Sequence, residues 1–203
     1  MENADRHGVI RMPVDNGLQE VRNMLTRRDP TSKDLEEKQF DVEGVQLIWS
    51  FVRGETAAAG VEALNKGSAA TLIAAAEAAD KKLIIVYTRK RTNDGRRAFE
   101  EYKGKHRIEN WKLDRIYLNP FKFNYYRDAG HISKDDITPE LMERISKDPT
   151  ENVETYDTDP LPRYLGAEIG DLVWTDNTWG TLEPSIDYRI VISSRTVSKL
   201  FAS

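Results

Sequence analysis

Apolar positions along the chain switch between helical spacing and short continuous runs, and the switches lay out its elements. In LQEVRNML (18–25), Leu18, Val21, Met24 and Leu25 fall at helical spacing, and the turn-formers and Pro30 of RRDPTSKD (27–34) end that helix. VQLIWSFV (45–52) is rich in β-branched and aromatic residues and stops at Arg53 and Gly54, which predicts a largely buried strand. SAATLIAAAEAADKK (68–82) predicts a helix capped by Ser68 and filled with alanine, the strongest helix former. LIIVYT (83–88) follows at once as an unbroken apolar run, the mark of a strand covered on both faces and so the centre of a sheet.

RRAFEEYKGK (96–105) has helical character up to Gly104, and RIYLN (115–119) is a third strand candidate ending at Pro120. Strands alternating with helices predict an α/β or α+β domain. TPELMERISKD (138–148) carries an N-cap, Thr138, with Pro139 at the first helical position and Glu140 in the first turn, and this helix opens a second module. That module holds DPLPRYLGAEIGDLVW (159–174), where an Arg-Tyr turn and two glycines lead into two strand candidates, Leu172 to Thr175 and Ile186 to Ile192. The expected organisation is a flexible arm over 1–17, a first domain over 18–130 and a small β-rich domain over 131–203. No internal repeat is present, and the alanine clusters at 57–59 and 74–76 read as helix-compatible bias.

Composition narrows the picture. The 203 residues are 39% hydrophobic and 32% charged, as in a soluble globular protein. No apolar run approaches the roughly 20 residues a membrane helix needs. The opening MENADRHGVIRMPVDNG lacks the apolar core of a secretory signal, so an intracellular home is expected. With no cysteine, thiol chemistry and zinc ribbons are excluded, and His7, His106 and His131 are too scattered for metal-ligand spacing.

The net charge of −4 conceals a division. Residues 81–115 hold 12 Lys or Arg against 5 Asp or Glu, a net of +7, whereas residues 135–187 hold 14 acids against 3 bases, a net of −11. The two regions should therefore face different partners. Arg89, Lys90, Arg91, Arg96 and Arg97 bracket a loop with Thr92, Asn93, Asp94 and Gly95 between a strand and a helix. There the cations and the helix's first N–H groups suit phosphate, bound without sequence readout. The plainer alternative is a solvated loop whose arginines pair with Asp94, Glu100 and Glu101.

Asp159, Pro160, Arg163, Tyr164, Gly166, Gly170, Val173, Tyr188, Arg189 and Val191, in this order and spacing, resemble the C-terminal domain of the fifth subunit shared by eukaryotic RNA polymerases, a domain that has a counterpart in the archaeal enzyme. LIIVYT, RKRTNDG, RRAFEEY and LDRIYLNPF extend the likeness into that family's N-terminal domain, so it covers roughly residues 70–192. Two departures stand out. DNTWGTLEPS (176–185) replaces an Arg-Pro-Ser-rich turn, and RKRTNDG (89–95) is longer and more basic than the family's loop, as in a divergent paralogue or a large DNA virus's version.

The resemblance implies an α+β chain, with an N-terminal α/β jaw domain (a mixed sheet flanked by helices) and a small β-rich assembly domain. It implies a non-catalytic subunit of a DNA-directed RNA polymerase, with no cofactor or small-molecule ligand and no membrane partner. Arg89, Lys90, Arg91, Thr92, Arg96 and Arg97 would meet downstream double-stranded DNA. Arg163, Tyr164, Gly166, Gly170, Tyr188 and Arg189 would serve anchoring to the largest subunit and contact with other subunits. Bracing of their own module is the alternative for Arg163 and Tyr164. The expected location is the nucleus or nucleolus, or virion or host cytoplasm for a viral version.

Two other classes remain beside it. A metal-dependent nuclease of the restriction-endonuclease-like kind would need clustered acids, yet LIIVYT and VQLIWSFV carry none, only Asp41 and Glu43 lie just ahead of the latter, and the acid-lysine grouping Glu36, Glu37 and Lys38 falls in a polar segment. A free-standing adaptor would use the acidic C-terminal half to bind basic proteins. Gly-rich nucleotide loops and a Gly-x-Ser-x-Gly elbow are absent.

Overall fold

The computed structural model describes residues 14–29, 36–117, 119–123, 128–146, 154–176 and 186–194. They divide into two units, Met1–Tyr117 and Leu118–Ser203, and each is built on a four-stranded mixed sheet, an α+β arrangement. Residues 1–13 of the arm expected over 1–17, the break at 30–34 and the segment 177–185 with Trp179 and Thr181 lie outside the described residues, whereas residues 14–17 of that arm are helical.

In the first unit the elements run α1 (Val14–Arg28), β1 (Leu47–Arg53), β2 (Thr56–Leu64), α2 (Lys66–Ala78), β3 (Lys82–Arg91), α3 (Asn93–Glu100), β4 (Ile108–Lys112) and α4 (Leu113–Ile116). The sheet order is β1-β2-β3-β4, with β1 antiparallel to β2 and the other pairs parallel. On one face Ala57, Ala59, Val61, Leu83 and Ile85 pack with Ala69, Leu72, Ile73 and Ala76 of α2. On the other, α1 buries Val21, Met24 and Leu25, and Arg22 lies over the Phe51 ring. LIIVYT is an inner strand, with Leu83 to Val86 buried.

Several local expectations change. Ala57, Ala58 and Ala59 belong to a strand, β2, and are completely buried. Sandwiched between two strands and two packed faces, this segment needs small side chains, and tertiary burial overrides alanine's helix preference. α2 starts ahead of Ser68: Asn65 is the N-cap, and the Ser68 hydroxyl accepts in return from the Asn65 N–H, a capping box. RIYLN is not a strand over its first residues, because β4 comes earlier and the chain turns directly into α4, which buries Ile116 and lies against α1. α1 begins at Val14, ahead of the expected helix start.

The second unit contains β5 (Asp128–Ile132), α5 (Pro139–Ser146), β6 (Glu154–Tyr156), α6 (Pro160–Leu165), β7 (Leu172–Asp176) and β8 (Ile186–Ile192). Sheet order is β5-β7-β8-β6; β7 is antiparallel to β5 and β8, and β6 runs parallel to β8. Leu161 and Leu165 of α6 pack with Ala129, Ala167, Val173 and Val191 to form its core. Thr138 accepts from the Leu141 N–H, as its capping role predicts.

Candidate nucleic-acid interface and assembly corner

The basic segment is not a simple loop. β3 runs on to Arg91, so Arg89, Lys90 and Arg91 are strand residues, and the turn into α3 begins at Thr92. The β2–β3 register slips here. Val61 pairs with Tyr87 but Ala63 pairs with Lys90, which leaves Glu62 facing both Thr88 and Arg89. The extra residue breaks the in-out alternation of the strand, and both Arg89 and Lys90 are exposed. Thr88 donates its hydroxyl to the Glu62 carbonyl at 3.3 Å, and Arg89 Nε lies 2.7 Å from Glu62 Oε1.

Thr92 caps α3 by accepting from the Gly95 N–H at 3.0 Å, while its own N–H donates to the Leu64 carbonyl at 2.9 Å. Gly95 sits so close to the end of β2 that a Cβ there would lie 2.6 Å from that carbonyl oxygen. The contact seats the start of α3 beside the start of α2, where Lys66 is exposed. Sequence reasoning missed Lys66 and Glu62 because β2, which carries or precedes them, was hidden by its alanines.

The partners of the cations follow from this layout. Arg96 Nε lies 3.6 Å from Glu100, Arg97 Nη1 lies 3.9 Å from Asp94, and Arg91 donates to Asn110. Lys90 has no ion-pair partner among the described residues. Exposed pairs of this kind contribute only about 0–1 kcal/mol. They are exchangeable, so a phosphate can take the place of the acid.

The same sheet holds a buried charge cluster. Glu109 on β4 accepts from Arg28 Nη1 at 2.7 Å and Nη2 at 2.9 Å, from Trp111 Nε1 at 3.0 Å, and lies 2.8 Å from Arg107 Nε. Burial pushes the Glu109 carboxyl up, but the charges of Arg28 and Arg107 and the hydrogen bonds from Arg28 and Trp111 outweigh it and hold it at about 2. This acid is committed to two guanidiniums. Among the described residues no three His, Asp or Glu side chains gather as a metal site would require.

The candidate assembly corner in the second unit is a helix, α6, followed by two left-handed glycines. Gly166 (φ 77°) ends α6, with its N–H directed to the Arg163 carbonyl and the Ala167 N–H to that of Pro162. Gly170 (φ 97°) donates to the Val191 carbonyl, and Val191 donates back to Asp171. The Asp171 carboxylate accepts from the N–H groups of Lys134 and Glu168 at 3.0 and 2.7 Å. These bonds hold the corner to β8 and to the turn after β5.

Tyr164 is only 2% exposed; its hydroxyl accepts from Asn119 Nδ2 at 3.0 Å, and its ring leans on Phe121. It braces the corner from within. Arg163 is half-buried on the same helix. Arg189 pairs with Val173 and lies on the α6 face of the sheet, whereas Tyr188 pairs with Trp174 on the opposite face. The candidate partner residues are thus split between two faces and an interior. The opposite face also carries Ile190, Ile192 and the exposed Tyr156 and Ile186.

The sequence matches no known protein-family model and no curated protein.

Proposed function

We propose that this chain is a non-catalytic subunit of a multisubunit DNA-directed RNA polymerase. The second unit would anchor it to the largest subunit, and the first would guide downstream duplex DNA. The observation that carries the reading is the α6–β7 corner. The residues of the run that resembles the polymerase assembly domain occupy positions that demand them: Gly166 and Gly170 take left-handed backbone, and Pro160 opens the helix. Val173 and Val191 fill the core beneath it. Trp174 and Tyr188 stand side by side on the other sheet face with exposed Tyr156 and Ile186, aromatic and aliphatic chemistry suited to an interface.

The DNA side of the reading rests on the exposed cations at the end of β3 and in α3. Weakly held side chains there suit phosphate contacts that need no base readout. A size-fractionation experiment tests the whole. Tagged wild-type chain expressed in its native source should run with a large polymerase assembly, and Arg163→Ala should shift it to the free pool with little change in melting temperature. A wild-type chain that runs alone contradicts the reading. A variant that melts as badly as it assembles assigns Arg163 to bracing its own unit.

A further inference from the structure

The slipped register between β2 and β3 does more than expose cations. It sets an acid, Glu62, beside Arg89 at 2.7 Å, in the middle of the surface offered to phosphate. Arg89 is 76% exposed and Glu62 53%, so neither is held by packing. We infer that Glu62 is an intramolecular stand-in for phosphate, an autoinhibitory contact that occupies Arg89 until duplex DNA displaces it. The inference rests on the DNA-binding reading of this segment and adds its regulation.

The physical argument is one of competition. Both a carboxylate and a phosphate accept from a guanidinium, and one Arg89 side chain cannot satisfy both fully. Glu62 has the advantage of being tethered, with its backbone carbonyl also gripped by the Thr88 hydroxyl. An isolated phosphate competes poorly against a tethered acid. A polyanion held at the same time by Lys90, which has no ion-pair partner among the described residues, competes well. Glu62 therefore suppresses binding to sparse anions and raises dependence on closely spaced phosphates.

The same two strands provide an internal control. At the opposite end, Glu55 in the β1–β2 turn lies 3.4 Å from Lys82 at the start of β3. Glu55→Gln and Glu62→Gln change the net charge equally and touch similarly exposed pairs, but only the second lies at the basic end.

Fluorescence anisotropy with the full chain and a mixed-sequence DNA duplex, across a salt titration, tests the inference. Glu62→Gln should tighten binding roughly two- to five-fold at low salt, the range expected from releasing one exposed pair. Glu55→Gln should leave affinity unchanged, and the gain should largely vanish when Arg89→Ala is added. Unchanged or weaker binding by Glu62→Gln overturns the inference while leaving the DNA reading standing if Lys90→Ala still weakens binding. A gain that persists in full with Arg89→Ala, or that Glu55→Gln matches, also overturns it. A folded wild-type chain that binds no duplex at any salt removes the DNA reading itself, and the inference with it.

Discussion

Arg28 in the last turn of α1 grips Glu109 of β4 through two hydrogen bonds, at 2.7 and 2.9 Å, across 81 residues of sequence. This pair ties the first helix to the edge strand of the sheet, with Arg107 as a second cation and the Trp111 indole as a further donor. The Glu109 carboxyl is held at about 2, below its ordinary value of 4.5. A lowered acid contributes stability that is fully present above the ordinary value and is lost as pH falls towards the folded one.

Denaturant midpoints should therefore fall in wild type between roughly pH 4.5 and 2, a loss on the order of 3 kcal/mol from this group by linkage. Glu109→Gln should be less stable at neutral pH, because two guanidiniums lose their buried partner, and the gap to wild type should narrow on acidification. A gap constant from pH 7 to pH 2 contradicts this account of the cluster.

Tyr164→Phe removes the acceptor of the Asn119 amide inside the second unit. Loss of one buried hydrogen bond costs about 0.5–1.5 kcal/mol. The second unit's thermal unfolding should move down accordingly, with DNA affinity unchanged because the basic segment belongs to the first unit.

Gly166→Ala forces a side chain into left-handed backbone at the end of α6. The expected loss is roughly 1–2 kcal/mol of stability, read from urea unfolding. A neutral result means that the corner relaxes to another turn.

Replacing Arg89, Lys90 and Arg91 together by alanine should weaken duplex DNA binding at moderate salt and leave circular dichroism unchanged. The slope of log affinity against log salt should become shallower by up to about 3, with each phosphate contact contributing about 0.9. Retention that is unchanged across the titration contradicts a phosphate role for this segment.

Much of the architecture was legible because burial leaves a periodic trace. LIIVYT read as a doubly covered strand, and Ser, Thr and Pro signals marked helix starts to within a few residues. β2 was not legible: its alanines carry a helical propensity that only close packing between α2 and the opposite face reverses. β5 and β6 are short and carry glycine or polar residues, so neither leaves an alternating pattern long enough to read. In the candidate site, the cations and the glycines were plain in the sequence. Glu62 was not, because its place beside Arg89 depends on a register slip between two strands, and no local pattern encodes that. Nor could the sequence tell which face of the sheet Tyr188 takes and which Arg189 takes, since strand parity follows from pairing.

The central claim is assembly into a polymerase, and affinity purification of the tagged chain from its native source at moderate salt, with mass spectrometry of the co-purifying chains, tests it most directly. The account predicts two large catalytic polymerase subunits in near-equal amount with the tagged chain, and their identity names the enzyme it serves. The chain recovered alone, or with basic proteins and no polymerase subunits, contradicts it.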